Sequence, residues 1–286
     1  MKYIDRDGNY YEESSKQDQL LSWMYHHTAG RILLKGLVHP AISKLGGRLL
    51  NTKLSAILIT PFVRSNHIDL NEYIKKEYCS YNDFFTRKIR PQARPICKDK
   101  NKLISPCDGK LSVYRINDEL KFEVKHTWYN LRTLLRNPDL AAFYQGGSCI
   151  IIRLTVDNYH RYCYVDDGQK ERNHKIPGVF HTVNPVANDF VPVFKENARE
   201  YTTIHTKHFG AVTQIEVGAL MVGKITNHDQ EACVKRGQEK GYFEFGGSTI
   251  ILLLEKEKVS VDSQFFDATK DGYETVVHMG DPIGSC

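Results

Sequence analysis

No two of the seven cysteines stand as C-x-x-C. Cys79, Cys97, Cys107, Cys149, Cys163, Cys233 and Cys286 are odd in number and scattered. That argues against a disulfide framework and a thiolate zinc site, and it fits a reducing compartment. Long apolar runs are also missing. The longest uncharged one lies near Leu54 to Val63, is broken by Pro61, and falls well short of the ~20 residues that cross a bilayer. The opening stretch, MKYIDRDGNYYEESSKQ, mixes both signs of charge and has no apolar centre, so it does not read as a signal peptide. No internal repeat or low-complexity tract is present. There is no G-x-S-x-G elbow, which speaks against a serine hydrolase. His205 and His208 make an H-x-x-H without a carboxylate motif, so no metal site is expected.

Acidic residues are absent from one stretch. Between Gln19 and Ile68 there is no Asp or Glu, while Arg31, Lys35, Lys44, Arg48, Lys53 and Arg64 fall within it. Those six account for the net charge of +5, because the remaining chain holds 33 basic against 34 acidic residues. A basic amphipathic stretch is often only a solvated helix face. It also fits a helix lying on anionic lipid, where each surface cation contributes about 1 kcal/mol. Nucleic acid is not expected, since no matching fold motif or base-stacking pattern accompanies the charge.

What is present divides the chain in two. Residues 19–68 read as helical: Leu33, Leu34, Leu37 and Val38 recur at helix spacing, Pro40 stops the run, and Ile42, Leu45 and Leu49 resume it. Asp69, with Glu72 three residues on, predicts the start of another helix from Leu70, and Ser80 predicts a short one carrying Phe84 and Phe85. Beyond about residue 100 the pattern changes to β-branched runs bounded by turn residues: CIIIRLTV (149–156), VTQIEVG (212–218), ALMVGKI (219–225) and STIILLLE (248–255). The expected fold class is therefore α+β. A basic, helical, membrane-associating segment (1–80) would be attached to a β-rich domain (81–286).

The stretch with most chemical content is Gly246-Gly247-Ser248-Thr249. A Gly-Gly pair leaves the carbonyl of Gly247 unshielded and permits strained torsions. The hydroxyl of Ser248 can then attack that carbonyl through a five-membered ring, exchanging an amide for an ester. Alone, such a sequence is usually a turn.

Its surroundings are more specific. Arg236, Gly237, Gln238, Glu239, Gly241 and Phe243, followed by Gly-Ser-Thr, resemble the processing site of the phosphatidylserine decarboxylases, in the branch with GGST. NDFFTRKIRPQARPI (82–96), SPCDGK (105–110), TVDNYHRYC (155–163), HTVNP (181–185) and VGALMVGKI (217–225) are similar to further elements of that family, in family order. The resemblance implies a charge relay of Asp108, His160 and Ser248. It implies self-cleavage between Gly247 and Ser248 into fragments 1–247 and 248–286. β-Elimination would leave dehydroalanine at residue 248, which hydrolyses to a pyruvoyl group with loss of ammonia. That covalent cofactor would form a Schiff base with phosphatidylserine and act as the electron sink for loss of carbon dioxide. His160 would return the proton, and phosphatidylethanolamine would be released. The implied location is peripheral, on the cytoplasmic side of the cell membrane. The two fragments would remain as subunits, with homo-oligomerisation left open.

One position departs from the pattern. Many members carry a second histidine three residues after the first, and this chain has Cys163 there. Either His160 serves both steps, or His181 supplies the missing imidazole. The competing reading is a non-catalytic membrane-surface β protein that stays uncleaved.

Overall fold

The computed structural model describes residues 1–12, 16–74, 77–124, 127–188, 190–219, 224–244 and 248–286. Six strands form the centre of its main sheet: β1 (Gly109–Arg115), β2 (Ser148–Leu154), β3 (Arg199–Thr206), β4 (Ala211–Gly218), β5 (Ser248–Leu254) and β6 (Glu274–Val277). Their order is β3-β4-β5-β2-β1-β6, and every neighbouring pair is antiparallel.

The continuous apolar runs of β2 and β5 follow from burial on both faces. Successive residues of a strand point to opposite sides. Ile151, Ile215, Val217, Ile251 and Leu253 enter one core, and Ile150, Ile152, Val212, Ile250 and Leu252 enter the other. The first core is closed by Leu21, Met24 and Tyr25 of α1 (Lys16–His26) and by Leu34 of α2 (Thr28–Leu37), with Val38 just beyond it. The second is closed by Phe265, Leu103, Ile283, Tyr162 and Phe243. This is the α+β arrangement, with the helices anchored to one face of the sheet.

The N-terminal region differs from expectation in two ways. The helices begin at residue 16. Lys2–Ile4 and Tyr10–Glu12 instead form strands at the sheet edge, where Tyr3 and Ile4 pair in parallel with Glu274 and Thr275. The helix expected from Leu70 is a single 3-10 turn, Leu70–Glu72, although Asp69 does cap it by accepting from Asn71 N. Tertiary pairing overrides the local signal there: Tyr73 turns extended and bridges Ile89, and Ile74 N donates to Lys88 O. Pro40 behaves as expected, ending one helix and opening α3 (Pro40–Leu50) at a position where its missing N–H costs nothing. Ser80 caps Tyr81–Phe85 by accepting from Asp83 N at 3.1 Å. The ALMVGKI run falls largely on residues 220–223, outside the described residues; its last residue, Ile225, opens the strand Ile225–Asn227.

A buried ion pair lies under the sheet. Lys240 Nζ meets Glu216 at 2.7 Å with both side chains fully enclosed, and Asn227 completes the group by accepting from Lys240 and donating to Glu216 and Glu200. Removing one partner of such a pair strands a charge. Lys240→Met is expected to destabilise the protein by about 3–5 kcal/mol. Lys240→Met with Glu216→Leu should recover most of that loss in urea denaturation. Equal loss in the single and double variants would show that packing, and not charge, sets the cost.

Candidate active site

The four central strands share one end, and the sequence-predicted residues gather there. Ser248 opens β5 and is paired across the sheet with Leu154, the last residue of β2, and with Gly218, the last of β4. Lys110 of β1 pairs with Arg153 of β2, so Asp108, just before β1, reaches the same end. Strands are about 4.8 Å apart, which puts the Asp108 and Ser248 backbones ~10 Å apart, two strands over. Gly109 allows this close approach. A Cβ at that position would stand 2.8 Å from the Arg153 carbonyl oxygen.

Ser248 is fully buried, and its Oγ has no hydrogen-bond partner among the described residues. An unmatched buried hydroxyl is unfavourable, by roughly 1–3 kcal/mol, and is seldom tolerated without a chemical use. The expected cleavage partner, Gly247, lies outside the described residues.

His160 follows Leu154 by six residues and is tied to both sides of the junction. Its carbonyl accepts from Phe243 N at 3.0 Å, five residues before Ser248, while β2 holds the other side. The ring packs on Phe85 at 4.2 Å between centroids and is wholly buried. Nδ1 lies 2.9 Å from the carbonyl oxygen of Asn158. A carbonyl only accepts, so Nδ1 carries the hydrogen and Nε2 is the basic nitrogen of the neutral ring.

Asp108 is held differently from the relay pattern. Arg94 donates to it from Nε at 2.9 Å and from Nη2 at 2.7 Å, and Met279 N donates at 2.9 Å. Both side chains of this ion pair are almost fully buried. The structure thus brings Asp108, His160 and Ser248 to one end of the sheet, with Asp108 engaged directly by Arg94. Arg94 lies in the NDFFTRKIRPQARPI element that resembles the family, but nothing local there points it at Asp108; the fold does.

Cys163 and His181 resolve differently. Cys163 is buried, and burial pushes its thiol up to about 12, so it remains protonated near neutrality and is no substitute for a basic imidazole. His181 stands close to Ser248 through Asn197. The Asn197 side chain accepts from His181 N at 2.8 Å and donates to His181 O at 2.7 Å and to Gly218 O at 2.8 Å. Gly218 is the strand partner of Ser248. Burial holds the His181 imidazole below its ordinary pKa, and Tyr25 of α1 lies 3.1 Å from its Nδ1. Burial also raises the Tyr25 phenol to about 12, so Tyr25 keeps its proton near neutrality and its hydroxyl can donate to the ring or accept from it. Neither Asn197 nor Tyr25 could be singled out from the sequence, since each acts through contacts made by distant segments.

Comparison with known proteins decides the family. The family model described as phosphatidylserine decarboxylase matches residues 81–285. A Clostridium acetobutylicum protein named phosphatidylserine decarboxylase proenzyme 2 is 46% identical over 96% of this chain and 94% of its own length. The chain belongs to the phosphatidylserine decarboxylase family. Two further members, each named phosphatidylserine decarboxylase proenzyme, extend the similarity. The Clostridium novyi protein is 41% identical over 100% of this chain and 99% of its own, and the Desulfitobacterium hafniense protein 40% over 99% and 98%. The similarity therefore reaches well before residue 81, into the helices that supply Tyr25.

Proposed function

We propose that this protein is a phosphatidylserine decarboxylase made as a self-cleaving precursor, converting phosphatidylserine to phosphatidylethanolamine and carbon dioxide. The observation that carries the reading is the buried Oγ of Ser248, without a partner among the described residues, in a segment whose Phe243 N donates to His160 O and whose strand pairs with Leu154, six residues before His160. A hydroxyl so placed is ready to attack the preceding carbonyl, with Nε2 of His160 as the base that takes its proton. The residues fit a pyruvoyl group derived from Ser248, whose carbonyl would supply an electron sink for the charge left by departing carbon dioxide. His160 or His181 would hold the proton that returns to carbon. Residues 248–286 would stay bound after cleavage, because β5 lies between β4 and β2 and is hydrogen-bonded to both.

The substrate is a lipid, and the N-terminal segment presents a matching surface. Among the described residues no helix is long and apolar enough to cross a membrane. Leu45, Leu49, Leu54 and Ile57 are instead well exposed, Leu54 at 86% and Ile57 at 80%. Arg31, Lys35, Arg48, Lys53 and Arg64 are exposed in the same segment. Apolar side chains can enter the headgroup boundary while the cations meet anionic lipid. This supports peripheral attachment of segment 1–80 to the cytoplasmic leaflet, with the decarboxylating domain over residues 81–286.

The purified protein should release labelled carbon dioxide from carboxyl-labelled phosphatidylserine in vesicles. The rate and the vesicle-bound fraction should both fall as salt rises from 0.05 to about 0.5 M, because screening weakens cation–headgroup attraction. No carbon dioxide from a fully cleaved preparation would remove the decarboxylase reading. Salt-independent binding would remove the electrostatic part of the attachment.

A further inference from the structure

Arg87 is a buried cation that the chemistry above does not use. Its side chain is 2% exposed and stands in no ion pair among the described residues. Nη2 donates to the Tyr73 hydroxyl at 3.2 Å and to the carbonyl of Asp157 at 3.3 Å. Nε and Nη1 are shielded from solvent and have no acceptor among the described residues. The guanidinium lies over the rings of Tyr73 and Phe84, at 4.3 and 4.7 Å. Glu72 and Asp108, the carboxylates beside Tyr73, are both bound to Arg94. A buried charge with donors to spare is unfavourable unless an anion completes it.

A cavity of about 160 Å³ is lined by Arg87 together with Thr86, Lys88, Arg161 and Asp83. Three cations and one carboxylate line it; Arg161 is paired with Glu239 at 2.7 Å, and the carboxylate, Asp83, accepts from Cys79 N. The cavity adjoins the reacting end of the sheet. Arg161 is the neighbour of His160, Arg87 holds the loop at Asp157, and Phe85 carries the His160 ring. Exposed Ile74 forms part of its rim, continuing the apolar surface assigned to lipid contact.

We propose that Arg87 is the phosphate-binding residue of the substrate site, pairing with the phosphodiester of the phosphoserine head group. The inference rests on the decarboxylase reading. In that head group the phosphorus is three bonds from the α-carbon, so an anion subsite flanking His160 is within reach of a serine held at residue 248. The carboxylate is the poorer partner. A guanidinium bound to it would stabilise a charge that the reaction must remove, whereas the phosphate charge persists from substrate to product. Planar donors in fork geometry suit phosphate.

The test uses the matured protein, soluble dihexanoyl phosphatidylserine, glycerophosphoserine and serine methyl ester. Arg87→Met should raise KM for the phospholipid about 10- to 100-fold, with kcat changed far less, and Arg87→Lys should recover part of the loss. Appearance of the 248–286 fragment reports that each variant has folded. A KM within twofold of the parent in a cleaved Arg87→Met protein would overturn the proposal. Arg87 would then be only a cation held between two rings. Should Arg87→Met fail to fold, the parent protein decides alone. Glycerophosphoserine should raise its melting temperature at concentrations at least tenfold lower than serine methyl ester, and equal potency would overturn the subsite. Because that binding readout needs no turnover, it stays separate from failure of the decarboxylase reading, which the absence of carbon dioxide release would show.

Discussion

Ser248→Ala protein is expected to purify as one chain of 32.9 kDa, where the parent gives two fragments, the smaller being residues 248–286. The substitution removes a single oxygen from a fully enclosed position at which that oxygen has no described partner. Deleting an unsatisfied hydroxyl should leave stability unchanged or slightly raised, so the variant should fold and its melting temperature should match or exceed that of the uncleaved parent. What it loses is the nucleophile, and with it the only source of the proposed carbonyl group. Decarboxylation should drop by on the order of 10³-fold or more, to the level without enzyme. Intact mass spectrometry reads the result directly. The parent's small fragment should begin with a residue that lacks an amino group. A cleaved Ser248→Ala protein, or a parent fragment starting with ordinary serine, would end the proposal of internal attack.

The sequence made the strands legible because they are buried on both faces. CIIIRL and STIILLL contain no solvent-facing position, so each reads as a nearly continuous apolar run, broken in the first only by Arg153, which pairs with Glu274. The two ends of the chain were harder. Lys2–Ile4 is too short and mixed to announce itself, and it is a strand only because Glu274 and Thr275 offer a free edge. The Leu70 helix was a sound local expectation that lost to the pairing of Tyr73 with Ile89. At the site, Ser248, His160 and Asp108 stood out through the ordered motifs that resemble the family, Asp108 in SPCDGK. The contacts that hold them did not, although Phe85 and Arg94 lie in the NDFFTRKIRPQARPI element. Arg94 fixes Asp108, Asn197 fixes His181 against Gly218, and Phe85 backs the His160 ring, each from a segment remote in sequence. Such supporting contacts are properties of the folded end of the sheet and leave no periodicity to read.

Which imidazole starts the cleavage can be argued from those contacts. His160 and His181 both belong to the Ser248 end of the sheet, but their Nδ1 atoms are engaged differently. His160 spends Nδ1–H on the carbonyl of Asn158, which leaves Nε2 as an acceptor able to take the serine proton. His181 has its Nδ1 engaged by the Tyr25 hydroxyl at 3.1 Å. On the proposed reading, His160 takes the serine proton and His181 serves the later return of a proton to carbon. His160→Ala is therefore expected to slow self-cleavage by about 10²- to 10⁴-fold, so that the uncleaved chain accumulates. His181→Ala should cleave near the parental rate but lose decarboxylation, if it is the ring that returns the proton to carbon. Tyr25→Phe would report on the same contact: removing the hydroxyl from Nδ1 of His181 should alter the pH profile of decarboxylation without blocking cleavage. Time courses on denaturing gels, followed by assays of whatever cleaved protein each variant yields, separate the two steps. Rapid cleavage of His160→Ala would transfer the base to His181 and reverse this assignment.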